Sequence, residues 1–127
     1  MENNPPRDPL TNRVIGLAIS VHRELGPGLL ESAYEECLCF ELKQSGIDFS
    51  RQTPLAIVYK GIQLDCGYRL DIVVQRDLIL EIKSVDQLMP IHDAQLLTYL
   101  KLSGHKVGLL MNFNTVFLKD GIRRFVL

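Results

Sequence analysis

At 127 residues the chain has the length of one domain with a core of its own, and 46% apolar with 23% charged residues is the balance of a globular chain that lives in water. No apolar run approaches the roughly 18 residues of a membrane span, so no membrane partner is expected. Fourteen Lys and Arg against fifteen Asp and Glu leave a formal charge of -1. That excludes the basic footprint of a tight, non-specific nucleic-acid binder.

The start, Met1-Glu2-Asn3-Asn4-Pro5-Pro6-Arg7-Asp8, is polar and lacks a signal-peptide apolar region, so residues 1–8 read as a flexible tail on a cytoplasmic chain. Asp8-Pro9 pairs an N-cap with proline at the first helical position. Leu10, Val14, Leu17, Ala18, Val21 and Leu25 then recur at helical spacing, and Gly26 can close the helix. After Pro27-Gly28 a second helix is predicted from about Leu29 to Ser45, with Leu30, Tyr34, Cys37, Leu38 and Leu42 as its apolar stripe.

The texture then turns to β. Thr53–Tyr59 is β-rich, Pro54 suggests an edge or a strand start, and Lys60-Gly61 reads as a hairpin turn. Ile62–Cys66, Tyr68–Gln75 and Leu78–Val85 continue as strands, and Leu78-Ile79-Leu80 is apolar on both faces, as in a central strand. Pro90 opens a third helix that runs to about Ser103 and stops at Gly104. Lys106–Asn112 is a strand, and Thr115–Leu118 and Ile122–Val126 are short late strands joined at Lys119-Asp120-Gly121. The expectation is an α/β fold in the order ααβββαβ plus a short β ending, forming one domain over residues 9–127. Cys37, Cys39 and Cys66 make an odd set with no CxxC pair, so they read as reduced, mostly buried small apolar residues rather than metal ligands.

Asp71, Glu81 and Lys83 carry the most chemical information. Alternate strand residues share a face, so Glu81 and Lys83 point one way while Ile82 points into the core. Two carboxylates beside a lysine on neighbouring strands suit a hard divalent cation and a nearby charge for an anion or a water. A solvent-facing Glu/Lys pair on a half-exposed strand fits the same three residues. Gln95 and Tyr99 are four apart on one helix face, with His92 three before Gln95 on much the same side. They could orient a lysine or a phosphate oxygen. Equally, Tyr99 could be a core aromatic with its hydroxyl at the rim, and His92 a first-turn surface residue. Glu31 lies in a first helical turn, where a carboxylate favours the dipole, or it is a third acid facing the site.

Together these residues resemble a known family. Gly28-x-x-Glu31-x-x-Tyr34 looks like the signature of the bacterial GxxExxY proteins, a small branch of the PD-(D/E)XK nuclease superfamily. Asp71…Glu81-Ile82-Lys83…His92-x-x-Gln95-x-x-x-Tyr99 resembles the same family, and its Gln/Tyr pair resembles the RecB-type branch. The similarity extends through Leu109–Phe113 and Lys119–Ile122, and so runs from about residue 10 to the end. It implies a restriction-endonuclease-like core, a mixed central sheet flanked by helices. Asp71 and Glu81 would bind Mg²⁺ or Mn²⁺ with the backbone carbonyl of Ile82, and Glu31 would stand near the metal. Lys83 would position the attacking water, Gln95 and Tyr99 would complete the catalytic set, and His92 and Tyr34 would contact substrate. The aspartate follows Leu70 rather than the proline of the superfamily's name.

The function this implies is metal-dependent hydrolysis of a phosphodiester, with DNA the expected partner. RNA or nucleotides would fit the same motifs. One small face makes few phosphate contacts, so a homodimer or a partner protein is expected to help grip a duplex. The alternative is a non-catalytic nucleic-acid-binding or assembly module that keeps the nuclease fold, suggested by the near-neutral charge.

Overall fold

The computed structural model describes residues 8–127. All of the expected tail but Asp8 lies outside them. The first helix, α1, spans Pro9–Leu25; the Asp8 carboxylate accepts from Thr11 N at 2.7 Å, and Gly26 closes the helix at φ 74°. The second helix, α2, is Glu31–Gln44, and begins later than the apolar pattern suggested. Leu30 is its extended N-cap residue and lies 78% exposed, outside the stripe it was expected to join.

The strands are β1 Phe49–Pro54, β2 Ile57–Tyr59, β3 Ile62–Leu64, β4 Arg69–Val74 and β5 Leu78–Lys83. Helix α3, Pro90–Ser103, follows, then β6 Val107–Asn112, a 3-10 turn at Leu118–Gly121 and β7 Ile122–Val126. Five strands form the main sheet in the order β1-β4-β5-β6-β7. Only β5 and β6 run parallel, because α3 carries the chain back across the sheet between them. Helices α1 and α2 cover one face, where Val14, Ala18, Val21, Leu38 and Leu42 meet Ile72, Leu80, Ile82 and Met111. Helix α3 covers the other, where Leu96 and Leu100 meet Val73, Ile79 and Leu110. The result is the expected α/β architecture, a mixed sheet flanked by helices, in the fuller order ααβββββαββ.

Three segments differ from expectation. The run Thr53–Tyr59 is divided: β1 begins at Phe49 as a polar edge strand of the main sheet, while β2 pairs with β3 in a separate two-stranded sheet. What makes β1 a strand is the backbone ladder offered by β4, not its side chains. The hairpin turn at Lys60-Gly61 is as expected, with φ 50° and 81° in the left-handed region that such tight turns require. The strand expected over Ile62–Cys66 stops at Leu64, where Asp65 accepts from Gly67 N at 3.0 Å and turns the chain.

The strand expected at Thr115–Leu118 is absent. Thr115 Oγ1 donates to Asn112 O at 3.3 Å, and the chain folds back over the end of β6. Gly121 then passes so close that a Cβ there would lie 2.4 Å from Asn112 O, so this crossing needs glycine. Of the cysteines, Cys39 is buried as expected, Cys37 is half-buried, and Cys66 is exposed, contrary to the reading of the set as mostly buried. No helix among the described residues is long and apolar enough to cross a membrane.

Candidate active site at the fork of two strands

Strands β4 and β5 pair from Val74–Leu78 to Ile72–Leu80, and there the ladder ends. Beyond that point β4 stays with β1 as far as Pro54–Arg69, so the sheet forks. Asp71 sits in the fork. Its Oδ2 accepts from Ile82 N at 2.8 Å, taking the place of a ladder carbonyl. This explains an aspartate in a strand: the carboxylate caps a backbone donor that the diverging strands would orphan. In a strand a residue's N–H and C=O point the same way, so the carbonyl of Ile82 faces the fork too.

Glu81 and Lys83 share the face of Ile79, while Leu80 and Ile82 are spent in the core beneath α1 and α2. The solvent-facing reading of this pair fails, because Glu81 is 5% exposed. Lys83 Nζ stands 3.9 Å from Glu81 Oε2, the far limit of an ion pair, and donates to Gln95 Oε1 at 3.3 Å. Gln95 Nε2 in turn donates to the Tyr99 hydroxyl at 3.1 Å. Glu81 Oε1 is buried with no hydrogen-bond partner among the described residues.

The electrostatics follow from this crowding. Burial, then the charge of Asp71, pushes the Glu81 carboxyl up to about 8, against the opposing pull of Lys83. Burial also raises Asp71; the Ile82 N–H opposes it, while the charges of Glu35 and Glu31 add to it. Tyr99 is raised, first by burial and then by Glu81. Both carboxyls are held above their ordinary range, so a further positive charge at the fork would be favourable because it would stabilise their ionised forms.

The donors suit a hard divalent ion. All are oxygens, one is bare and buried, and both carboxyls would return to their ionised form beside a positive charge. Among the described residues no three His, Cys, Asp or Glu side chains lie close enough to hold a metal by themselves. The set at the fork is two carboxylates plus the Ile82 carbonyl. Water would have to complete the shell of any divalent ion held there.

Glu31 lies at the rim. Its Oε2 accepts from Ser84 N at 3.3 Å, and Ser84 Oγ donates to Leu29 O at 2.6 Å, so the start of α2 is stapled to the end of β5. Its charge reaches Asp71 and Glu81 and raises both. Tyr34 is corrected: it is fully buried, stacks on Phe113 with ring centres 4.5 Å apart, and has no surface for a substrate. Its hydroxyl donates to Gly26 O at 2.6 Å and accepts from Leu29 N at 3.1 Å, bracing the loop between the first two helices. His92 has a local task, its Nδ1 accepting from Met89 N at 2.9 Å to close the first turn of α3.

Glu35 was overlooked in the sequence. It is buried one turn after Glu31 and held by Arg51 Nε at 2.5 Å and by Gln52 Nε2 at 3.0 and 3.1 Å. Gln52 has φ 52° and is skipped in the β1–β4 register between Arg51–Ile72 and Thr53–Leu70, opposite Asp71. The available signal was the i, i+4 spacing of two acids on one helix face, a repulsive pair unless something compensates it.

Compared with known proteins, residues 8–125 match the family model of the PD-(D/E)XK nuclease superfamily. No curated protein and no solved structure gives a match.

Proposed function

Because the chain belongs to the PD-(D/E)XK nuclease superfamily, we propose that the β4–β5 fork is the active site of a Mg²⁺- or Mn²⁺-dependent nuclease that hydrolyses a phosphodiester of DNA. The observation that carries the reading is the bare, buried Oε1 of Glu81 beside Asp71. Asp71, Glu81 and the carbonyl of Ile82 would hold the ion, with Glu31 in reserve at the rim for a second one. The chemistry supplied by a bound divalent ion is acidification of water and neutralisation of charge developing on the phosphoryl group.

The remaining roles belong to the chain itself. The Ile82 N–H fixes the Asp71 carboxylate in one orientation. Lys83 Nζ positions the attacking water and steadies a phosphate oxygen, as a compact and movable charge. Gln95 presents its carbonyl oxygen to Lys83, and the Tyr99 hydroxyl fixes that amide the right way round by taking its N–H. On motif spacing, the same reading assigns the chain to the GxxExxY proteins, with a RecB-type Gln95/Tyr99 pair. A chain this close to neutral makes few phosphate contacts, so duplex DNA calls for a second copy or a partner protein. A clean monomer on gel filtration, with and without DNA, would count against that.

The non-catalytic reading draws on the near-neutral charge. Calorimetry with Mn²⁺ separates the two: no binding at millimolar ion favours a non-catalytic module. The direct test is incubation with single- and double-stranded DNA plus Mg²⁺ or Mn²⁺. Cleavage should appear with wild type and vanish with Asp71→Ala; equal cleavage by both means a contaminant and sinks the nuclease reading.

A further inference from the structure

Beside the fork lies an open groove of about 570 Å³ between the small hairpin and α3. Ile57 and Tyr68 form one wall, and Ile91, Gln95, Thr98 and Tyr99 the other. No Asp, Glu, Lys or Arg lines it. Tyr68 is 47% exposed, and its ring meets Tyr99 edge-on, with ring centres 6.3 Å apart.

The groove and the fork share residues. From Lys83 Nζ the path runs 3.3 Å to Gln95 Oε1, then 3.1 Å from Gln95 Nε2 to the Tyr99 hydroxyl, then across to Tyr68. The two sides differ in chemistry. The fork, with its lysine and its ion-holding carboxylates, suits a phosphate. The groove has no cation for a phosphate but offers a half-exposed tyrosine and apolar walls, which suit a flat ring. A nucleotide within a strand carries both halves, a phosphate and a flat ring. A base inside a duplex presents no free face, since its neighbours cover it above and below.

We propose that this groove holds an unpaired nucleobase of the DNA strand whose phosphodiester lies at the fork, stacked on Tyr68, so that single-stranded DNA or an unpaired strand end is cut in preference to intact duplex. The phosphate half rests on the nuclease reading; the base half rests on the groove alone. The near-neutral charge agrees, because a stacked strand needs a smaller phosphate footprint than a gripped duplex.

The test separates the halves. Wild-type protein in EDTA is titrated into a single-stranded DNA oligonucleotide carrying one 2-aminopurine, and into the same oligonucleotide paired in a duplex. The single strand should be quenched and the duplex not. Tyr68→Ala should weaken single-strand binding by about 5- to 150-fold, the span of one lost base–aromatic stack, and Tyr68→Phe should bind as wild type. Thr98→Glu, on the exposed side of α3, should weaken it too without touching the core. In a second arm with Mn²⁺, Tyr68→Ala should lower the ratio of single-strand to duplex cleavage. No quenching by wild type, or equal quenching by wild type, Tyr68→Ala and Thr98→Glu, overturns the groove proposal even if DNA is cut. Tyr68-dependent quenching without any cleavage upholds the groove and removes the nuclease reading.

Discussion

Two glutamates lie at nearly the same depth, Glu35 at 7% and Glu81 at 5% exposure, and they are kept for different reasons. Glu35 has partners on both oxygens: Arg51 and Gln52 donate to Oε2, and Gln52 donates to Oε1 as well. Glu81 has a bare Oε1, and its other oxygen is 3.9 Å from Lys83. A buried carboxylate with partners belongs to the framework. One left bare costs about 1–3 kcal/mol or more, and is retained where a ligand supplies the missing partner. The framework acid is held by β1, the edge strand; the bare acid projects from β5 at the centre of the sheet, where the ladder with β4 opens.

This contrast can be broken most severely by activity. Asp71→Asn and Glu81→Gln should each lower Mn²⁺-dependent DNA cleavage by about 1,000-fold, or ~4 kcal/mol in the transition state. Glu35→Gln should stay within about tenfold of wild type, because it keeps the shape and still accepts from Arg51. Steady-state cleavage of a labelled oligonucleotide reads both, and an equal loss in all three would erase the distinction. Lys83→Ala should lose about 100-fold, with Mn²⁺ affinity nearly unchanged in calorimetry, since the lysine acts on water and phosphate rather than on the ion. A parallel loss of metal binding would mean that Lys83 only shapes the acids.

Stability gives the smaller effects. Glu35→Ala should cost about 1–3 kcal/mol in urea unfolding, moderated because the Arg51 side chain is 34% exposed and can turn to water. Glu81 should act in the opposite sense. Its folded carboxyl is raised above the ordinary glutamate range, so the folded state binds the proton more tightly than the unfolded one. Its contribution is therefore fully present below that ordinary range and is lost as pH rises through about 8. In EDTA the wild type should lose stability over that interval. Glu81→Gln should flatten the profile and be more stable at pH 8, by on the order of 1 kcal/mol. Urea midpoints from pH 5 to pH 9 check this; a wild-type profile that rises toward pH 8 contradicts it.

Much of this was legible in the sequence because short periods fix directions. Asp8-Pro9, Gly26 and Gly104 marked helix ends, and the double-sided run Leu78-Ile79-Leu80 marked the central strand. The strand period placed Glu81 beside Lys83, and the helical spacing placed Gln95 beside Tyr99; the structure joins these through two hydrogen bonds. What was hidden depended on partners distant in the chain. The polar segment Phe49–Gln52 is a strand only because β4 pairs with it. The hairpin β2–β3 carries the same β signal as the main sheet, and nothing local says that it stands apart. Spacing showed which way Tyr34 points, but not that Gly26 and Leu29 would meet its hydroxyl inside. Nothing local singles out Glu35, because its partners Arg51 and Gln52 lie on the next element of the chain.

The central claim is that Glu81 and Asp71 hold a divalent ion in the fork. A crystal soaked in Mn²⁺, with data collected for the anomalous signal, tests it most directly. The account predicts a peak about 2.0–2.6 Å from Glu81 Oε1 and from the Asp71 carboxylate, with the Ile82 carbonyl turned toward it. A saturating soak that leaves the fork empty, or places the ion elsewhere with Glu81 Oε1 still bare, would contradict it.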